Sequence, residues 1–138
     1  MSTWRRHAVV PLLLLVAAVP VLARPALADP REITVGGIWI TLIDHDAAGY
    51  TSLERAIEVR RRITEVLSTP KFREGTTVSV RPMGKSAVVT VGGLLVFTVT
   101  PQDAVGTSMA PLDVARQWAR LLAEGLSRAL PDADVHVF

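Results

Sequence analysis

The feature that most constrains the fold of this chain is a pattern that occurs twice. A short run of residues typical of β-strands, a Gly-Gly pair and a longer apolar run occupy residues 34–40 and recur at residues 90–96. Each copy is followed by a polar loop and then by apolar residues at helical spacing, with Leu53 matched by Leu112. A match that keeps its register through a hairpin and the helix after it indicates an internal duplication.

The duplicated pattern predicts an α+β fold. Two β-β-α-β units, at about residues 32–81 and 87–138, supply six strands and two helices. A Gly-Gly pair suits a two-residue hairpin turn, because that turn requires positive φ. Since an amphipathic helix must bury its apolar side, we expect both helices to pack on the sheet. Residues 29–138 then form a single domain built of two repeats.

Local signals place the two helices. Thr51 and Glu54 have the spacing of a capping box, which predicts that the first helix starts just after them. Pro111 suits the first turn of the second helix. A proline also follows each helical pattern, at Pro70 and at Pro131, and marks the end of the helix.

Two strands, at residues 38–43 and 94–99, are apolar on both faces. We expect the other half of the domain to cover the second face, since sheets of this length twist strongly. The alternative is a second protein, or a second copy of the chain in a self-assembling structural dimer. Four aromatic residues on apolar patterns are predicted to be buried: Trp39, Phe97, Trp118 and Phe138.

The first 28 residues have the layout of a secretory signal peptide. Arg5 and Arg6 precede an apolar run at residues 8–23, and Ala26 and Ala28 form a small-x-small cleavage site. The alternative is an uncleaved anchor, but the apolar run is shorter than the roughly 20 residues that span a bilayer. We therefore predict an exported protein located in the periplasm, at the cell surface or outside the cell.

Composition restricts the function further. Arg5, Arg6 and Arg24 leave with the signal peptide, so twelve of the fifteen Lys and Arg residues remain against thirteen Asp and Glu, a net charge of −1. A chain so close to neutral is not suited to coating nucleic acid. The absence of cysteine excludes disulfides, thiol catalysis and cysteine-based metal sites. No cofactor is predicted.

Asp44, His45 and Asp46 form the one cluster with the chemistry of metal ligands. Two carboxylates and an imidazole just past a strand end are able to hold a divalent ion, which suggests a small metal-assisted hydrolase. However, three neighbouring residues seldom converge on one ion without a distant ligand. The equivalent loop of the second repeat, residues 100–103, contains no histidine. Ordinary loop polarity is therefore the favoured interpretation, and no catalytic residue is predicted.

A second set of residues are candidates for contact with a partner. The run Arg60-Arg61-Arg62 is either a patch for an anionic partner or a solvated helix face, and Glu58 has the spacing of surface pairs with the last two arginines. Tyr50 either presents its ring to a partner or packs over the helix start. The candidate partner-binding residues are Trp39, Tyr50, Arg60, Arg61 and Arg62.

Several short motifs carry a resemblance to a known family. Residues 98–104 read TVTPQDA and residues 115–119 read ARQWA, while residues 37–40 and 55–62 give a looser match in the first repeat. With these motifs the chain resembles the extramembrane N-terminal domain found ahead of the pore in some bacterial small-conductance mechanosensitive channels. The resemblance covers most of residues 33–130, and no pore-forming helices accompany it here.

The resemblance implies a stand-alone exported version of that domain, with no catalytic residues to carry over. Together with the duplicated scaffold, it leads us to expect a non-enzymatic binding or accessory module of the bacterial cell envelope. Its partner is expected to be another envelope or membrane protein, or a second copy of itself.

Overall fold

The chain runs twice through the order hairpin, helix, strand. The computed structural model describes residues 28–138, and the predicted signal peptide lies outside them except for Ala28. The elements are β1 (Glu32–Val35), β2 (Ile38–Leu42), α1 (Ser52–Ser68), β3 (Thr76–Met83), β4 (Ser86–Val91), β5 (Leu94–Val99), α2 (Pro101–Ala104), α3 (Pro111–Ala129) and β6 (Val135–Val137). A 3-10 turn at Pro70–Arg73 follows α1. The predicted α+β class with six strands and two long helices is confirmed, and the four-residue α2 is an addition.

The strands form two sheets. The larger sheet has the order β5-β4-β3-β6, in which β6 runs parallel to β3 and the other pairs are antiparallel. The smaller sheet is the hairpin of β1 and β2. Both Gly-Gly pairs form the predicted turns, with φ of 54° and 79° at Gly36 and Gly37 and of 53° and 85° at Gly92 and Gly93.

Helix α3 lies at the centre of the core. It contacts β1 and β2 of the small sheet as well as all four strands of the large one. Its apolar side is buried along its length, and Trp118 meets the ring of Phe97 edge to face at 5.3 Å between centroids. Helix α1 packs against β1 and β5. Among the residues that the structure describes, neither helix has the length and apolarity needed to cross a membrane.

Each Gly-Gly turn packs closely against the other repeat. A Cβ atom on Gly36 would collide with the carbonyl oxygen of Gly125 in α3, so the first turn can lie on that helix only as glycine. A Cβ atom on Gly92 would lie 2.6 Å from the ring of Phe72, in the 3-10 turn after α1. The two halves therefore pack as one core.

The burial of the four aromatic residues was predicted correctly for two of them. Phe97 and Trp118 are buried, whereas Trp39 is 54% exposed and Phe138 is 79% exposed. Trp39 pairs with Thr34 on the open face of the β1–β2 hairpin, because only the other face of this hairpin is buried. Phe138 follows β6 at the edge of the large sheet. In β5, Val96, Phe97 and Val99 are buried within the chain, as expected, while Leu94 and Leu95 are half-buried.

Candidate functional site

The first turn of α1 is held by the predicted capping box. The backbone N–H of Glu54 donates to Thr51 Oγ1 at 3.2 Å, and the carboxylate of Glu54 accepts from the backbone N–H of Thr51 at 2.8 Å. These bonds satisfy two backbone groups at the helix start and lower the pKa of Glu54, mainly through the backbone hydrogen bond from Thr51. The rigid start fixes the direction of the next side chain, Arg55.

Arg55 and Asp103 form a buried ion pair that joins the two repeats. Arg55 Nη2 lies 2.7 Å from Asp103 Oδ2, and Nη1 lies 3.0 Å from Oδ1, which is the parallel two-bond geometry of guanidinium and carboxylate. The side chains are only 11% and 3% exposed. Asp103 also accepts from the backbone N–H and the hydroxyl of Thr100, at 2.8 and 2.9 Å.

The guanidinium of Arg55 also satisfies two backbone carbonyls. It donates to the oxygen of His45 at 2.5 Å and to the oxygen of Thr98 at 3.2 Å. Arg55 therefore ties together the loop after β2, the end of β5 and the start of α2. Because a buried charge is tolerated only when it is paired and hydrogen-bonded, this network fixes the geometry of everything beside it.

A groove of ≈ 510 Å³ opens beside this network, between α1, the loop after β2 and the end of β5. Its volume lies within the range of about 300–1,000 Å³ that is usual for binding sites. Buried Ile43 and Val59 lie among its walls, and the exposed side chains of Tyr50 and Ile57 stand at its mouth. It is lined by Ile43, Ala47, Ala48, Tyr50, Glu54, Arg55, Ile57, Glu58, Val59, Arg62, Thr98 and Thr100.

The charged residues of the groove have partners within the chain. Glu58 accepts from Arg61 at 2.8 and 2.9 Å and from Arg62 at 2.9 Å. The hydrogen bonds from Arg61, followed by those from Arg62, lower the pKa of Glu58 to about 2. With Arg55 bound to Asp103 and Arg62 bound to Glu58, the groove offers no unpaired arginine to a ligand. The carboxylate of Glu54 caps the helix through its hydrogen bonds with Thr51.

Three apolar side chains near the groove are open to solvent, and two of them, Tyr50 and Ile57, line it. Tyr50 is 61% exposed, Ile57 is 53% exposed, and Leu53 lies one helical turn before Ile57. We refer to Tyr50, Leu53 and Ile57 as the α1 rim. Clustered exposed apolar residues beside a concave surface are typical of interaction sites. The sequence allowed two positions for the Tyr50 ring, and the structure has the exposed ring rather than one packed over the helix start.

The three candidate metal ligands, for which ordinary loop polarity was the favoured interpretation, are not gathered around one point. His45 Nδ1 lies 2.7 Å from Asp44 Oδ1 but has no hydrogen-bond partner, and Asp46 accepts from the backbone N–H of Ser52 at 2.7 Å, at the start of α1. Within residues 28–138, no group of three His, Cys, Asp or Glu side chains is arranged to hold a metal ion. The arrangement therefore supplies no support for the metal-assisted hydrolase.

The candidate partner-binding residues are only partly brought together. Tyr50 and Arg62 line the groove. Arg60 and Arg61 directly precede Arg62 on α1 but are not among the residues that line it. The predicted surface pairs of Glu58 with Arg61 and Arg62 are confirmed. Trp39 lies on the separate β1–β2 hairpin and does not line the groove.

The Arg55–Asp103 pair is the feature of the site that sequence reasoning missed. Both residues stand inside the motifs that carry the resemblance, but nothing in those motifs indicated that the two side chains meet. Two features of the sequence could have indicated the pair. Arg55 lies four residues before buried Val59, on the same side of the helix, and Asp103 follows soon after an apolar strand.

A match to a protein family covers most of the domain described above. A family model described as a domain of unknown function, DUF8459, matches residues 32–129. The chain belongs to the DUF8459 family. The matched range of this DUF8459 domain runs from the first residue of β1 to the last residue of α3, so it includes the Arg55–Asp103 pair and the groove. No curated protein and no solved structure matches the chain.

Proposed function

We propose that this DUF8459 protein is an exported, non-enzymatic binding module of the bacterial cell envelope, and that it holds an apolar segment of another protein in the groove beside α1. The observation that carries the proposal is the combination of exposed apolar residues at the α1 rim with a groove whose arginines are already paired.

The charge balance of the groove determines the chemistry of the guest. Arg55 and Arg62 are each bound by a carboxylate of the same chain, at 2.7 and 2.9 Å. An anionic group entering the groove would lose its hydration without finding an unpaired arginine, which is strongly unfavourable. The inserted part of the partner is therefore free of acidic groups and, because it meets the exposed side chains of Tyr50 and Ile57, mainly apolar.

The α1 rim supplies the contact surface. Tyr50 combines a large apolar ring with a hydroxyl, and tyrosine is enriched among the residues that contribute most to protein interfaces. Burial of Ile57 and Leu53 by a partner removes apolar surface from water, which stabilises a complex by about 25 cal/mol per Å² before the costs of association. Tyr50 and Ile57 of the rim also line the groove, so a partner that enters the groove meets the rim.

The partner is proposed to be another envelope or membrane protein. This choice rests on the predicted signal peptide and on the resemblance to the extramembrane domain of small-conductance mechanosensitive channels. A module of that kind needs a rigid surface, and the Arg55–Asp103 network supplies one by fixing α1 against the end of β5.

Co-purification with matched variants tests the proposal. The tagged protein is isolated from its own cells after reversible cross-linking, in parallel with Ile57→Asp and Met83→Asp. Both residues are 53% exposed, but Met83 does not line the groove, so it is the control. We expect one envelope protein to be recovered with the native chain and with Met83→Asp, and to be lost with Ile57→Asp. Equal recovery with both variants would exclude the groove as the contact surface.

A further inference from the structure

The outer edge of β6 has unpaired backbone groups. Three backbone hydrogen bonds show which residues of this segment face β3. Thr76 N–H donates to Asp134 O at 2.8 Å, Phe138 N–H donates to Val78 O at 3.0 Å, and Val80 N–H donates to Phe138 O at 3.3 Å. Since residues alternate along a strand, the N–H and C=O groups of Val135 and Val137 point away from β3. β6 is the last strand in the order β5-β4-β3-β6, so within residues 28–138 no strand pairs with this edge.

The last two side chains along the same edge are apolar and exposed. Val137 is 45% exposed and Phe138 is 79% exposed, and His136 Nε2 lies 3.1 Å from the carboxylate of Asp134. Proteins usually protect a free strand edge with lysine, proline or a covering element, because an apolar edge pairs readily with another strand. Val135–Val137 contains neither lysine nor proline, and only the shortness of the strand, three residues, limits its pairing.

Charges of opposite sign lie at the two ends of β6. Arg120 of α3, together with Arg116, which pairs with Asp113 at 2.9 Å, stands beside Val137 and Phe138, where both line a cavity of ≈ 280 Å³. At the other end, the exposed residues Asp132 and Asp134 precede the strand. A strand that pairs antiparallel with β6 and has the same charge order brings its acidic end to these arginines.

We propose that two copies of the chain pair through β6, antiparallel and centred on His136, to form one continuous eight-stranded sheet. In this register Val135 of each copy lies opposite Val137 of the other. These are the two residues whose backbone groups point outward, so each pair exchanges two hydrogen bonds. The two-fold axis makes the contact self-complementary.

The self-complementary charges select a second copy as the occupant of the edge. The acidic segment at residues 132–134 of one copy comes alongside the arginine end of the other, and the same contact repeats across the axis. An unrelated strand would need to reproduce this charge order by coincidence. The groove beside α1 is not part of the contact, so a result that contradicts the dimer does not contradict the proposed binding function, and the reverse also holds.

Sedimentation equilibrium of the purified protein over a wide concentration range tests the dimer. Val137→Lys places a charge at the edge and is compared with Met83→Lys, an exposed apolar residue of the neighbouring strand. We expect the native chain and Met83→Lys to form dimers and Val137→Lys to dissociate at least about tenfold more readily. A native chain that stays monomeric at every concentration, or a dimer that Val137→Lys leaves unchanged, would overturn the proposal.

Two further measurements identify the register. The amide protons of Val135 and Val137 should become protected from exchange as concentration rises, whereas protection confined to other segments contradicts β6 pairing. Arg120→Glu and Asp134→Lys should each weaken self-association, because each brings like charges together at both ends. An equimolar mixture of these two variants should form mixed dimers, since both ends then carry opposite charges. Mixed dimers no tighter than either variant alone would contradict the antiparallel arrangement.

Discussion

Replacement of Arg55 by Met tests whether the buried ion pair holds the site together. The change keeps a long apolar side chain but leaves the carboxylate of Asp103, which is 3% exposed, without its counter-charge. Removal of one partner from a buried pair costs about 3–5 kcal/mol. The two carbonyls that Arg55 satisfies, on His45 and Thr98, lose a donor as well. We therefore expect at least about 3 kcal/mol of destabilisation, out of a total of about 5–15 kcal/mol for a domain.

Urea denaturation followed by tryptophan fluorescence measures this loss, because Trp118 lies in the core against Phe97. At a slope of about 1.5 kcal/mol per M, a loss of 3 kcal/mol moves the midpoint down by about 2 M. Arg128→Met is the matched control, since the Arg128–Glu124 pair is exposed and such pairs contribute about 0–1 kcal/mol. An Arg55→Met midpoint within experimental error of the Arg128→Met midpoint would refute the reasoning.

Three other predictions concern the turns, the acid response and the candidate metal cluster. Gly36→Ala should cost about 2–4 kcal/mol in urea unfolding, because a Cβ there meets Gly125, whereas Gly37→Ala should cost about 1 kcal/mol since it has positive φ but open space. The pKa of Glu58 is lowered in the folded chain to about 2, so its contribution is complete above the unfolded value near 4.5 and is lost as pH falls from there toward 2. Glu58→Gln should therefore flatten the decline of the urea midpoint over this pH range, and an unchanged pH profile would contradict the assignment. His45→Ala should leave both folding and divalent-metal content unchanged by elemental analysis, and the loss of a stoichiometric metal would restore the hydrolase hypothesis.

The hairpin turns and helix starts were predicted from local signals, because such signals depend only on residues that are close together in the sequence. The Gly-Gly pairs specify positive φ, and the spacing of Thr51 and Glu54 satisfies backbone groups within one turn of helix. These requirements hold whatever lies elsewhere in the fold. The order of the elements and the fold class therefore followed from the repeated pattern.

The exposure of Trp39 shows where this reasoning fails. Alternation along β2 did not reveal which face of the hairpin would be covered, because that depends on where α3 packs. The first hairpin remains a separate two-stranded sheet, and its outer face stays open. The prediction that Trp39 belongs to the core was wrong for this reason.

The site itself depends on contacts between residues far apart in the chain. Arg55 and Asp103 are 48 positions apart, and their pairing follows from the way α1 crosses the end of β5. The sequence showed that Arg61 and Arg62 would pair with Glu58, because those contacts lie within two turns of one helix. It did not show that Arg55 and Arg62, the two arginines of the groove, would both be paired.

Site-specific photo-cross-linking in living cells tests the central claim most directly. A photoreactive amino acid replaces Ile57 in one strain and Met83 in another, so that equally exposed positions inside and outside the groove are compared. The proposal predicts a discrete cross-linked product with a single envelope protein at position 57, attached through an apolar segment without acidic residues, and none at position 83. Products of equal abundance at both positions, or attachment at position 57 to an acidic segment, would contradict it.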